Sequence, residues 1–391
     1  MDREDLLLKL SGKKVIFVFG NLELGGGERQ GLLLARRLRD LCGCDVQVWG
    51  LGAAPGRVSQ LCEASGIPWK CLGLQWRFGV RHAPANIALL SRLALLLRRE
   101  KPDLLLPYTF LPNLLCGLSW RFTGARLCVW NQRDAGFFLD SGLWHRLAVR
   151  LTPRFIANSE QGRQALQDAY GLQGRPVAVI ANGVVLDAPQ AAREEWRTRL
   201  GVPKDAFLAC MLGNIHGYKD HATLLRGWRH FLDNVHPDAR GRVVLVLAGR
   251  HDDGYQALQG LVESLRLQDS VLFAGAVSDV AGLLYACDLC VHSAVSEGLP
   301  NAVLEAMAAG LPVVASDIPG VREAVGPQGY RFLAPSGDAE LLGERVAELF
   351  CDEALRSRLG EAMRRRAEGE FSVSRMFDLT TGFIGEGWPD P

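Results

Sequence analysis

The chain has 391 residues, enough for two domains that each bury a core. Its 48% apolar and 22% charged content is that of a globular protein, and a net charge of +1 supplies no global field for nucleic acid. No apolar run reaches the ~18 residues of a membrane-spanning helix. The stretch Met1-Asp-Arg-Glu-Asp lacks a cleavable signal pattern, so a cytoplasmic protein is expected and its ten cysteines read as reduced thiols.

In chain order, strand-like apolar runs fall at 15–19, 46–49, 103–107, 126–130, 155–157 and 177–180, with helical periodicity between them, as in 85–99. A polar, alanine-rich stretch, 186–195, follows Asn182-Gly183-Val184. A second series of runs comes after it, at 208–212, 243–248, 271–273, 289–292 and 312–315. Strands alternating with helices predict an α/β protein of two Rossmann-like, doubly wound parallel domains. The expected boundaries are 1–184, 185–370, and a helix with its tail at 371–391. Ligands of such sheets sit beyond the carboxyl ends of the strands.

The most informative stretch is Glu297-Gly-Leu-Pro-Asn-Ala-Val-Leu-Glu305. Pro300 suits the first position of a helix, 302–309 is a strong helix former, Gly310 fits the position after its end, and Pro312 prevents continuation. Such a helix start, at Gly298, Leu299, Pro300 and Asn301, turns backbone N–H groups toward an anion. Glu305 lies ~7 Å further along the axis at ~1.5 Å per residue. Two carboxylates flanking a phosphate site match a ribose diol, a diphosphate and a hexose in a row. Gly25-Gly26-Gly27-Glu28, after the first strand, allows close backbone approach to a ligand. It lacks the spacing of a dinucleotide fingerprint, and the second strand ends in Trp49-Gly50 without a ribose-binding acid. After the first strand of the second series, Gly213-Asn214-Ile-His216-Gly-Tyr-Lys219-Asp220 offers Asp220 as a helix cap and Lys219 as a cation within reach of a diphosphate.

The run from Asp288 to Gly320 resembles the donor-site signature of the retaining glycosyltransferases of family 4, with the two-domain GT-B fold. The resemblance implies two domains facing a central cleft and a last helix that crosses back to the first domain. It implies a nucleotide-sugar donor, UDP- or GDP-linked, a glycan or lipid-linked acceptor, and no metal or other cofactor. Lys219 matches the family's diphosphate lysine. Asn214 stands where the family places an arginine, with His216 as the neighbouring second donor. Glu297 corresponds to the carboxylate that holds the sugar and Glu305 to the one on the ribose. Gly26 and Gly27 match the family's glycine-rich turn. Asn131 and Arg133, in Trp130-Asn-Gln-Arg-Asp134, stand near the transferred sugar on the acceptor side. His292 replaces a frequent proline and reads as a strand-end residue.

Other features have quieter readings. Asn158-Ser159-Glu160 ends a strand and resembles a recurring family segment, and it reads as the cap of the next helix. Asp288 reads as a structural residue at a strand start, and Cys287 and Cys290 read as core packing. Gln75-Trp-Arg-Phe-Gly-Val-Arg-His82 with Arg92, Arg98, Arg99 and Lys101 fits either a peripheral contact with an anionic membrane or a core-facing helix with snorkelling arginines. The expected activity is retaining, metal-independent glycosyl transfer in cell-envelope, capsular or exopolysaccharide synthesis. Two alternatives are a nucleotide-sugar epimerase of the same fold and an inactive binding subunit of a polysaccharide assembly.

Overall fold

The computed structural model describes residues 3–389 apart from 138, 141, 173, 216, 218 and 253. The chain divides into two compact units, Met1–Gly183 with Val373–Pro391, and Val184–Ser372. Among the described residues no helix is long and apolar enough to cross a membrane.

The first unit is built on seven strands: β1 (Lys14–Phe19), β2 (Asp45–Gly50), β3 (Trp69–Cys71), β4 (Leu104–Pro107), β5 (Leu127–Gln132), β6 (Arg154–Ala157) and β7 (Val177–Val179). Their order is β3-β2-β1-β4-β5-β6-β7, and all neighbours are parallel. Val15 to Phe19 are all fully buried. Helices cover both faces of such a sheet, so its strands read as continuous apolar runs rather than as alternation. β3 escaped the sequence reading because its three residues, an exposed Lys70 between two half-buried neighbours, are too few to carry a pattern. The helix Gly26–Cys42 lays Leu34, Ala35 and Leu38 on the core and ends at Gly43 with φ 65°. The C-terminal helix Val373–Glu386 adds Met376, Phe377 and Ile384 to that same core. Gln30 fastens this end of the unit: its amide donates to the Gly183 carbonyl and accepts from the Gly183 N–H, both at 2.9 Å.

The second unit has six strands: β8 (Phe207–Leu212), β9 (Val243–Ala248), β10 (Val271–Gly275), β11 (Leu289–His292), β12 (Val313–Ser316) and β13 (Leu333–Ala334). They run parallel in the order β10-β9-β8-β11-β12-β13. β13, two residues long, was also not foreseen. Asp288 has the structural work expected of it. Its carboxylate accepts from Arg193 at 2.6 Å, Arg197 at 2.8 Å and the Leu208 N–H at 2.8 Å, tying the unit's first helix to β8 and β11. Cys287 and Cys290 are free and buried.

In both sheets the strand order reverses about a central pair, β1 and β4 in one, β8 and β11 in the other. Chains leaving the two strands of such a pair turn to opposite sides and open a crevice at their carboxyl ends.

Candidate active site

At the β8/β11 reversal, the loops leaving the two strands are stitched together. Lys219 forms an antiparallel bridge with Ala294, and the Asp220 N–H donates to the Ser293 carbonyl at 3.1 Å. Asp220 then caps the helix His221–Asn234 by accepting from the Thr223 N–H at 3.0 Å. The lysine stem lies along Gly213, where an added Cβ would stand 3.2 Å from the Lys219 Cε. Lys219 reaches Glu297 Oε1 in an ion pair, and His292 Nε2 meets the same oxygen at 2.9 Å. His221 completes the group, with Nδ1 3.1 Å from the Lys219 carbonyl.

The electrostatics follow from burial and charge. Burial pushes the Glu297 carboxyl up, but the Lys219 charge and the His292 contact outweigh it and hold it at about 2. Burial, joined by the Lys219 charge, lowers His292, which is fully enclosed. Burial also lowers His221, to about 4. At neutral pH the group therefore holds one carboxylate, one ammonium and two uncharged imidazoles. The Nδ1 of His292 and the Nε2 of His221 are buried without a hydrogen-bond partner among the described residues.

Beyond Glu297 the chain enters the helix Asn301–Ala308. Pro300 is its N-cap rather than its first helical residue. The Pro300 carbonyl accepts from Val303 and Leu304, both at 3.2 Å, while its own ψ of 113° is extended. The helix thus starts one residue after the proline expected to open it, and it ends at Ala308, one residue before the end of the 302–309 run. Gly310, at φ 78°, follows its last turn. Gly298 and Leu299 are buried in the approach, and Glu305 is 7% exposed on the helix. Gly320 fixes the approach from behind: a Cβ there would fall 1.5 Å from the Gly298 carbonyl oxygen. Asn214 ties the loop after β8 to the loop after β9 by accepting from the Arg250 N–H at 3.0 Å. His216 lies outside the described residues.

The β1/β4 reversal of the first unit carries different groups. Gly25 caps the helix Gly26–Cys42, and the Glu28 carboxylate accepts from the Gly25 N–H and its own, while burial raises its pKa. This helix start thus holds its own acid. A Cβ on Gly27 would meet the Thr109 methyl at 3.1 Å and Arg133 Cβ at 3.8 Å, so the loops after β1, β4 and β5 converge there. Arg133 lies over the Tyr108 ring, 4.8 Å from its centroid, and donates to Asn131 Oδ1 at 2.9 Å and Asn182 Oδ1 at 3.4 Å. Asn131 is fully buried; its amide donates to the Pro107 and Val129 carbonyls and acts outward through Arg133. Ser159 caps its helix by accepting from the Gly162 N–H at 3.1 Å.

The roles of three residues in these sites escaped the sequence reading. His292 and His221 carried weak signals, a polar residue closing an apolar strand and another opening a helix. Thr109 carried none. Its φ of 69° with ψ of −179° is a conformation that glycine alone adopts without strain.

A fold of two doubly wound sheets, with a lysine, a carboxylate and a helix start gathered at one reversal point, is that of a GT-B glycosyltransferase. Two family models match: "Glycosyltransferase Family 4" over residues 24–188 and "Glycosyl transferases group 1" over 192–366. Between them they span most of the chain, and the protein belongs to the family 4 glycosyltransferases. It is 32% identical over 237 residues to a D-inositol 3-phosphate glycosyltransferase of Kineococcus radiotolerans, covering 56% of this chain and 54% of that one. A Streptomyces avermitilis protein of the same name is 32% identical over 228 residues, covering 56% and 49%. The chain thus spans about half the length of the curated relatives it matches. Among solved structures, Anabaena HepE in complex with UDP and glucose superposes with a TM-score of 0.81 at 22% identity, over 96% of this chain and 100% of that one. WaaG, a glycosyltransferase involved in lipopolysaccharide biosynthesis, gives 0.68 at 17% identity, over 96% and 100%. At these identities the likeness speaks for the fold.

Proposed function

We propose that this protein transfers a sugar from a nucleoside diphosphate sugar to a hydroxyl of a glycan or lipid-linked acceptor, with retention at the anomeric carbon and without a metal ion. The observation that carries the reading is the convergence of Lys219 and Glu297 beside the start of the helix Asn301–Ala308. In this reading the Lys219 ammonium and the positive end of that helix offset the charge that grows on the leaving diphosphate. Glu297, ionised throughout the neutral range, accepts from sugar hydroxyls and orients the ring. Glu305, eight residues on, accepts from the ribose diol. Asn214 shapes the loop where the family places an arginine, which leaves Lys219 as the principal cation of the site. On the first unit, Gly26 and Gly27 are the proposed donor-side turn, and Arg133, held by Asn131, is the proposed acceptor-side residue.

UDP is favoured over GDP, because HepE structures hold UDP and UDP-glucose. A place in envelope, capsular or exopolysaccharide synthesis is in keeping with WaaG, described as acting in lipopolysaccharide biosynthesis. We place the protein at the inner face of the plasma membrane, held peripherally. Behind the core-facing Leu93 and Leu97, the helix Ala83–Glu100 leaves Ile87 and Leu95 exposed beside Arg92, Arg98 and Arg99. An exposed apolar stripe edged with arginine suits an anionic lipid surface.

The test is turnover of UDP-glucose, UDP-N-acetylglucosamine and GDP-mannose, followed as release of the nucleoside diphosphate. One donor should be consumed by the wild-type protein in the presence of EDTA, and Lys219→Ala should lower that rate by about 100-fold. Equal rates in the two proteins would remove Lys219 from the mechanism. Dependence on added metal would overturn the metal-free reading.

A further inference from the structure

We infer that His292 is a positioning residue for Glu297: its Nε2–H holds Oε1 of that carboxylate, so that Oε2 faces the donor sugar while Lys219 turns to the diphosphate. The inference rests on the donor-site reading above and deepens it.

Geometry fixes the direction of the hydrogen bond. A carboxylate only accepts, so the imidazole nitrogen 2.9 Å from Glu297 Oε1 carries the proton. The other nitrogen, Nδ1, is buried and has no partner among the described residues. A proton there would be an unpaired buried donor, and a second positive charge would stand beside Lys219. The neutral ring protonated at Nε2 avoids both costs. Burial and the Lys219 charge, which lower this imidazole, act in the same direction.

The two partners of Oε1 differ in how they are held. Lys219 sits in a loop on a flexible stem and remains partly exposed. His292 is the last residue of β11, which is hydrogen-bonded to β12 on one side and β8 on the other; its backbone pairs with Ala315, and its ring is fully enclosed. A lysine drawn toward a diphosphate gives up part of its hold on Glu297. A half-buried carboxylate left without a partner is disfavoured and would swing or take up a proton. The strand-borne imidazole keeps its contact in either case. Among the described residues both contacts fall on Oε1 and none on Oε2, which leaves Oε2 to a sugar hydroxyl.

The experiment compares His292→Gln, which keeps a donor N–H, with His292→Leu, which fills the space without one. Both are measured with whichever of the three nucleotide sugars the wild-type protein consumes. His292→Leu should lower kcat at least tenfold while leaving the dissociation constant of UDP within about twofold, and His292→Gln should recover most of the kcat. Nitrogen-15 NMR of the histidines should show His292 neutral and protonated at Nε2 at pH 7. Equal kcat in His292→Leu and wild type, or a ring protonated at Nδ1, overturns the role of His292 and leaves the donor site standing. UDP affinity that falls in step with kcat makes His292 a general support of the loop and also overturns it. A wild-type protein that consumes no nucleotide sugar overturns the donor-site reading, and this inference falls with it.

Discussion

The two reversal points of this molecule share a topology and differ in chemistry. The β8/β11 point concentrates charge: an ammonium and a carboxylate in contact, with two uncharged imidazoles behind them. The β1/β4 point has a glycine turn whose helix start is already satisfied by Glu28, a single arginine over a tyrosine ring, and a strained threonine. The same order about the central pair therefore supplies position, while the residues in the loops differ. In the proposed function, the charged point is the one that takes a ligand carrying its own charge.

The comparison can be broken at Gly320, whose Cβ-free backbone lets the Gly298 carbonyl approach. Gly320→Ala should cost about 3 kcal/mol of stability and displace the loop carrying Glu297. A urea midpoint equal to that of the wild type would show that the loop has room the structure denies it.

Acid should weaken the charged point in two windows. His221 is ordinarily half-protonated at 6.5 and in the fold at about 4, so between those values the unfolded chain binds a proton that the fold refuses. Its contribution, roughly 3 kcal/mol at about 1.4 kcal/mol per unit, is whole above 6.5 and is lost as the pH falls toward 4. Glu297, ordinarily at 4.5 and here at about 2, contributes above 4.5 and loses its share between 4.5 and 2. His221→Gln should flatten the dependence of the urea midpoint on pH in the upper window alone. An unchanged slope there would assign that window to other groups.

Glu305→Ala should weaken UDP binding about tenfold, through loss of an enclosed acceptor for the ribose diol. Unchanged affinity would mean that Glu305 is not the ribose ligand. The smallest effect is expected in the first unit. Thr109→Gly relieves a left-handed φ of 69° and should raise stability by about 1 kcal/mol, offset in part by the greater freedom of glycine in the unfolded chain. A loss of stability would show that the threonine's contact with Gly27 outweighs the strain.

The sheets were legible because parallel strands buried on both faces write themselves as apolar runs. Val243–Ala248 and Leu289–His292 could be bounded from sequence to the residue. The edge strands Trp69–Cys71 and Leu333–Ala334 could not, being too short for any pattern. The Asp220 and Ser159 caps were readable because a short polar side chain before a helical run bonds locally. The contact of His292 with Glu297 was not, although five residues separate them, since it depends on the turn the chain makes after β11. The positive φ of Thr109 was invisible for a related reason: tertiary packing imposes it against the local preference of the residue.

The central claim is that the β8/β11 reversal binds a nucleoside diphosphate with protein groups alone. Calorimetric titration of the protein with UDP, GDP and ADP, with and without EDTA, tests it most directly. The account predicts micromolar binding of UDP, ahead of the other two and unchanged by EDTA. Absence of binding by all three, or binding abolished by EDTA, would contradict it.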